Sequence, residues 1–218
     1  MTQVQLVDVG LKFGEFQALR EVNATFDAGR IHGIVGRNGS GKTVLLKCIC
    51  GLLDAYSGQI TINGVDRRNR KALGASMGII IEAPGFVAGY SGLTNLKFLA
   101  DIRHQAGRQE IVQAMEMVGL DPKCKKHVEK YSLGMRQRLG IAQAIMENPD
   151  MLVLDEPMNG LDNAGVKDMR QLFKDLRGQG KTILLASHNP RDIEELCDTV
   201  SEMDGGVFTA KSGFAPDP

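Results

Sequence analysis

The sequence predicts an α/β fold built on a mostly parallel core sheet, and three observations predict it. Residues 36–43 read Gly-Arg-Asn-Gly-Ser-Gly-Lys-Thr and fit G-x-x-x-x-G-K-[ST], the pattern of a phosphate-binding loop. The apolar run Ile31 to Val35 enters that loop as a strand, and the helical pattern from Val44 to Leu53 leaves it. Two further short apolar runs, Met151 to Leu154 and Thr182 to Ala186, alternate with helical stretches, as strands buried on both faces of a parallel sheet do. Beside this core the sequence predicts an antiparallel β portion, from N-terminal and hairpin strands, and a helical subdomain around residues 87 to 147. The whole reads as one domain over residues 1–218, with a loose tail from 212 to 218.

Each residue type in the loop has a chemical reason. Gly36, Gly39 and Gly41, on either side of Asn38 and Ser40, free the backbone to turn successive N–H groups inward on an anion. Lys42 sets a positive charge near the β- and γ-phosphates of a nucleotide, and Thr43 offers its hydroxyl to Mg²⁺. The helix that follows aims its positive dipole end at the same phosphates. A second element fits the same chemistry. The run Met151 to Leu154 leads into Asp155 and Glu156, acids at the carboxyl end of a buried strand. There Asp155 can hold Mg²⁺ through water and Glu156 can polarise a water.

The remaining elements follow in chain order. Val4 to Val9 alternates apolar and polar residues and reads as a strand. Residues 12–16, Lys-Phe-Gly-Glu-Phe, are turn-like and put aromatics at the surface, where a Phe can stack on a purine or cover the sheet edge. Leu19 to Phe26 alternates again, and Ser57-Gly58 opens a hairpin with its tip at Asn63-Gly64. Ser76 to Glu82 is a nearly continuous apolar run, read as a buried strand that Ala83-Pro84-Gly85 breaks. Leu93 to Gln105 and Arg108 to Val118 have helical spacing, and Ser132 is a good N-cap before a strong helix, Arg136 to Met146. Asn163 to Arg177 reads as an amphipathic helix. The strand Thr182 to Ala186 ends at Ser187-His188, which puts His188 on the same carboxyl edge as Asp155, where ligands of open α/β sheets gather. Asn189-Pro190 caps a last helix to Cys197, and Thr199 to Met203 with Val207 to Ala210 closes the chain as a hairpin.

Bulk properties narrow the function. Hydrophobic residues make up 43% of 218, enough for a full core. The formal net charge is zero, so no overall field favours nucleic acid or anionic lipid, and no nucleic-acid partner is expected. No apolar stretch approaches the length of about eighteen residues that a membrane-spanning helix needs, and no charged-then-apolar leader opens the chain. Cys48, Cys50, Cys124 and Cys197 lack paired C-x-x-C spacing and are expected to be reduced structural thiols. The basic cluster Lys123 to His127 reads as a solvated face.

Together these motifs resemble an ATP-binding-cassette (ABC) ATPase over nearly the whole chain, about Val4 to Ala210. The cassette-specific parts are Tyr131-Ser132-Leu133-Gly134-Met135-Arg136-Gln137-Arg138 just before Asp155-Glu156, Gly160-Leu161-Asp162, which is similar to the D-loop, and His188, which is similar to the switch histidine. The resemblance implies the P-loop NTPase fold of ABC ATPases, ATP and Mg²⁺ as cofactors, and hydrolysis of ATP to ADP and phosphate. It implies head-to-tail pairing with a second ABC ATPase subunit, as a homodimer or a heterodimer. In such a pair Ser132 and Gly134 contact the γ-phosphate held by the partner chain, and Asp162 couples the two sites. The resemblance also implies Glu156 as general base, His188 as a γ-phosphate contact, and Phe13 as the aromatic that stacks on adenine, where family members often have Tyr.

Two segments depart from the family pattern. The usual Leu-Ser-Gly-Gly-Gln is Tyr-Ser-Leu-Gly-Met here, and the usual Q-loop glutamine is Glu82, a carboxylate that can bind Mg²⁺ but adds negative charge near the γ-phosphate. These changes, with Glu-x-Pro-Gly-Phe and Met-Arg-Gln-Arg-Leu-Gly-Ile-Ala, resemble the ATPases of bacitracin-resistance and lantibiotic-immunity exporters. The implied partner is then a separate integral membrane permease, contacted around Glu82 to Gln105, which would hold the chain at the cytoplasmic face of the cell membrane. The other reading is a soluble ABC-type ATPase acting on DNA, the ribosome or a protein assembly; such relatives commonly carry long coiled-coil insertions or two fused cassettes.

Overall fold

A computed structural model describes residues 2–69 and 76–211, so the expected loose tail at 212–218 lies outside the described residues. The chain opens with β1 (Val4–Phe13) and β2 (Phe16–Phe26), an antiparallel pair that runs from Val4 opposite Phe26 to Phe13 opposite Phe16. Both strands are longer than their alternation predicts. Gly14, at φ 59, and Glu15 suffice as the turn, so the aromatics at 13 and 16 stay in the ladder. Next come β3 (Ile31–Val35), α1 (Lys42–Cys50), β4 (Ser57–Ile62), β5 (Val65–Asp66) and β6 (Met77–Ile80). The predicted strand over residues 76–82 stops at Ile80, because Glu82 turns to φ 63, outside the extended region.

Helices α2 (Gly92–Arg103), α3 (Arg108–Met117) and α4 (Leu133–Ile145) follow, with one 3₁₀ turn at Val128–Lys130 before α4. Ser132 caps α4 as expected, its hydroxyl accepting the Met135 N–H at 3.2 Å. That cap draws Leu133, Gly134 and Met135 into the first turn, so the helix begins three residues before the predicted start. The chain ends with β7 (Met151–Asp155), α5 (Asn163–Gly178), β8 (Thr182–Ala186), α6 (Pro190–Leu196), β9 (Thr199–Asp204) and β10 (Val207–Ala210).

Two sheets result. One is antiparallel, in the order β2-β1-β4-β5; the other runs β10-β9-β3-β8-β7-β6, parallel except for its edge strand β10. Alternation along the central strands sorts the core into two layers. On β7, Leu152 and Leu154 face the layer made by α2 to α6, while Met151 and Val153 face the layer made by α1 and the antiparallel sheet. Parallel register puts the carboxyl ends of β3, β8 and β7 on one edge: Ile34 lies opposite Ala186, and Ala186 opposite Asp155. That edge carries the phosphate loop, the acids and His188.

The sulfur groups are free thiols, as expected. Burial pushes the thiols of Cys48, Cys50 and Cys197 up to about 12, so they stay protonated and unreactive at neutral pH. His32, the second residue of β3, is 2% exposed: its Nε2 contacts the Asp27 carbonyl at 2.8 Å and its Nδ1 the Thr199 hydroxyl at 2.7 Å. Burial holds its pKa below the ordinary 6.5, so the unfolded chain binds this proton more readily than the folded one. Stability from His32 is therefore present above its unfolded pKa and lost as pH falls through the lower folded value. Thermal melts should show the midpoint falling below a pH of about 6.5, with a shallower fall in His32→Gln.

Candidate functional site

Between β3 and α1 the phosphate loop lines a cleft of about 640 Å³, a size typical of small-ligand sites. The loop is held from both sides. Gly206, in the turn between β9 and β10, donates its N–H to the Ser40 carbonyl at 3.0 Å. Gly41 sits at φ 110, and a Cβ there would lie 2.8 Å from the Ala18 carbonyl, so no larger residue fits beneath the β2 backbone. No side chain caps the N-terminus of α1, which leaves its first N–H groups directed at the cleft.

The lining residues fit a polyphosphate. Ser40 Oγ is buried with no hydrogen-bond partner among the described residues. Lys42, 6% exposed, donates only to its own loop, to the carbonyls of Gly36 at 2.6 Å and Arg37 at 3.1 Å. An anion in the cradle supplies the acceptors that the buried hydroxyl and the helix N-terminus need. The Thr43 hydroxyl donates to Asp155 Oδ2 at 2.6 Å, which places two hard oxygen donors side by side next to the cradle. Such a pair suits Mg²⁺, which binds one or two protein oxygens and completes its shell with phosphate and water.

Glu156 follows β7 at φ 50, an uncommon conformation for a residue other than glycine. Its N–H donates to the Ala186 carbonyl at 2.9 Å, and its carboxylate Oε1 lies 2.8 Å from His188 Nδ1. Asp155 and Glu156 line the cleft; His188 lies outside the lining set and reaches Glu156 from the side of a neighbouring cavity.

The structure brings Asn38, Gly39, Ser40, Gly41, Lys42, Thr43, Glu82, Asp155 and Glu156 to one cleft. Gly36 and His188 line the neighbouring cavity, and the remaining candidates are disposed around the cleft. Phe13 does not line the cleft; Phe16, its cross-strand partner at the start of β2, does. Glu82 lines the cleft but is paired with Lys47 Nζ at 2.5 Å rather than grouped with Thr43 and Asp155. Ser132 and Gly134 lie at the start of α4, against the loop after β7: a Cβ on Gly134 would stand 2.9 Å from the Gly160 carbonyl. Asp162 caps α5 by accepting the Gly165 N–H at 2.8 Å.

Gln137, within the cassette-specific segment, and Asn159 also line the cleft, and the sequence assigns neither a role there. Gln137 donates to the Pro157 carbonyl at 2.9 Å, and the Asn159 N–H reaches the Glu156 carbonyl at 3.2 Å. Their signal was proximity to the flagged Ser132 and Glu156.

Comparison with known proteins places this geometry. A family model described as ABC transporter matches residues 19–159. The chain is 43% identical over 203 residues to the uncharacterized ABC transporter ATP-binding protein YdbJ of Bacillus subtilis (strain 168), covering 92% of this chain and 66% of that protein. It is 38% identical over 197 residues to the bacitracin transport ATP-binding protein BcrA of Enterococcus faecalis, covering 89% of this chain and 64% of that protein. It is 33% identical over 190 residues to the lantibiotic transport ATP-binding protein SrtF of Streptococcus pyogenes, covering 86% and 81%. The chain thus spans about two thirds of the length of YdbJ and BcrA. Among solved structures, the dimeric structure of MJ0796, a bacterial ABC transporter cassette, superimposes with a TM-score of 0.85 at 22% identity, covering 94% of this chain and 95% of that one.

Proposed function

This chain belongs to the ABC transporter family, and on that premise we propose that it is the ATP-binding and ATP-hydrolysing subunit of an exporter, energising a separate membrane permease. The observation that carries the proposal is the pair of contacts on one sheet edge, Thr43 to Asp155 at 2.6 Å and Glu156 to His188 at 2.8 Å, beside a cradle that fits polyphosphate.

In this reading the loop N–H groups and Lys42 bind the β- and γ-phosphates. Thr43 and Asp155 would hold Mg²⁺, which when bound would supply positive charge against the phosphoryl oxygens. Glu156 Oε accepts the proton of the attacking water, and His188 holds that carboxylate in place and contacts the γ-phosphate. Phe16 takes the adenine-stacking role expected of Phe13. Ser132 keeps its hydroxyl proton while capping α4, so Ser132 and Gly134 of one chain serve the γ-phosphate held by a second cassette, with Asp162 at the seam. We read residues 1–218 as one such cassette, with a helical subdomain spanning about 87–147.

Kinship with BcrA and SrtF, named for bacitracin and lantibiotic transport, supports the exporter reading. No helix among the described residues is long and apolar enough to cross a membrane. The proposal assigns the membrane span to a separate permease that holds the chain at the cytoplasmic face. Affinity purification of the tagged chain from its own cell, in mild detergent, tests this. The expected result is a stoichiometric polytopic membrane protein. A chain that stays free, or that brings down ribosomes or DNA, supports the soluble ABC-type ATPase instead.

A further inference from the structure

Three of the titratable side chains lining the cleft are carboxylates, Glu82, Asp155 and Glu156, against one ammonium, Lys42. A polyphosphate entering such a cleft meets an excess of like charge. Each acid is held by a neighbour: Asp155 by the Thr43 hydroxyl, Glu156 by His188 and Glu82 by Lys47. Lys47 lies on α1, the helix that starts from the phosphate loop, and its Nζ is 2.5 Å from Glu82 Oε1. The backbone fixes Glu82 from its other side. Glu82 turns at φ 63, and Pro84 packs against α4 so closely that a Cβ on Gly140 would lie 2.5 Å from the proline Cγ.

We propose that Lys47 is a positioning residue for the nucleotide site: it neutralises the Glu82 carboxylate and aims it away from the phosphates, which makes an acid tolerable at the Q-loop position. The inference rests on the nucleotide reading above. The pair is partly exposed, with Lys47 at 27% and Glu82 at 65%, so its contribution to folding is small. Its effect falls on the ligand. Without Lys47 one unit of uncompensated negative charge faces a multiply charged anion across the cleft wall.

Equilibrium binding of ATP, read by displacement of a fluorescent ATP analogue in EDTA and in Mg²⁺, tests this on the full chain. Lys47→Met, which keeps the apolar stem, should weaken ATP in EDTA by about tenfold, the scale of one uncompensated charge near the site, and the loss should shrink as salt rises. Lys47→Arg should stay within about twofold of the parent, because the cation is kept. In the Glu82→Gln background Lys47→Met should change affinity by less than about twofold, since no carboxylate is left to neutralise. Equal weakening in both backgrounds, or none in either, overturns the inference and leaves the nucleotide reading standing. A parent chain that binds no ATP overturns both. Circular dichroism melts of each variant separate loss of affinity from loss of fold.

Discussion

Glu156→Gln should bind MgATP and fail to turn it over, with hydrolysis reduced by about a hundredfold to ten-thousandfold, the range general-base catalysis contributes. The substitution keeps the shape of the side chain and an oxygen for His188 Nδ1, now 2.8 Å from Glu156 Oε1. It also keeps the backbone bond to the Ala186 carbonyl at 2.9 Å. What it removes is the carboxylate that takes the proton of water. On the proposed head-to-tail pairing, in which each nucleotide is shared between the cradle of one chain and the start of α4 in the other, ATP that is held but not hydrolysed should also hold two cassettes together. Size-exclusion chromatography with light scattering should show an ATP-dependent dimer of Glu156→Gln under conditions where the parent is monomeric. A variant that hydrolyses ATP at the parental rate would remove Glu156 from the role of base.

Lys42→Met should lose the ligand itself, with MgATP affinity down by about a hundredfold, the scale of losing charge-assisted hydrogen bonds to phosphate. Lys42 is 6% exposed, and methionine fills much of the same channel beside the carbonyls of Gly36 and Arg37. The folded chain should therefore survive, which a melt verifies. The two variants separate binding from chemistry: Lys42→Met raises the ATP concentration needed for half-saturation, whereas Glu156→Gln lowers the maximal rate at saturating ATP. Calorimetric titration with ATP reads the first directly, and unchanged affinity in Lys42→Met would contradict its assignment to the phosphates.

The parts of the site that were legible from residues alone are contiguous in sequence. The loop from Gly36 to Thr43 and the pair Asp155-Glu156 each carry their chemistry within a few residues, and β8 has the bounds its apolar run predicts. The parts that were not legible depend on contacts between distant segments. Lys47 and Glu82 are 35 residues apart and meet only because α1 and the end of β6 flank one cleft. The choice between Phe13 and Phe16 turns on which strand end borders the cleft, and both rings are exposed. Helix α4 begins three residues before its predicted start because Gly134 lowers the propensity of the first turn and the Ser132 cap overrides it. The strand order β3-β8-β7, which inserts a late strand between two earlier ones, rests on the crossovers and left no periodic trace.

The two acids that border the cleft from strand ends, Glu82 at φ 63 and Glu156 at φ 50, occupy backbone conformations that glycine or asparagine adopts with less strain. Each stores on the order of 1 kcal/mol or more in the folded chain. Selection for thermostability alone would relax these positions early, because glycine or asparagine there relieves strain without touching either core layer. On the proposed role of Glu156 as base, a stabilised lineage would trade turnover for heat resistance at position 156. Consensus engineering of this chain should hold 156 fixed for that reason.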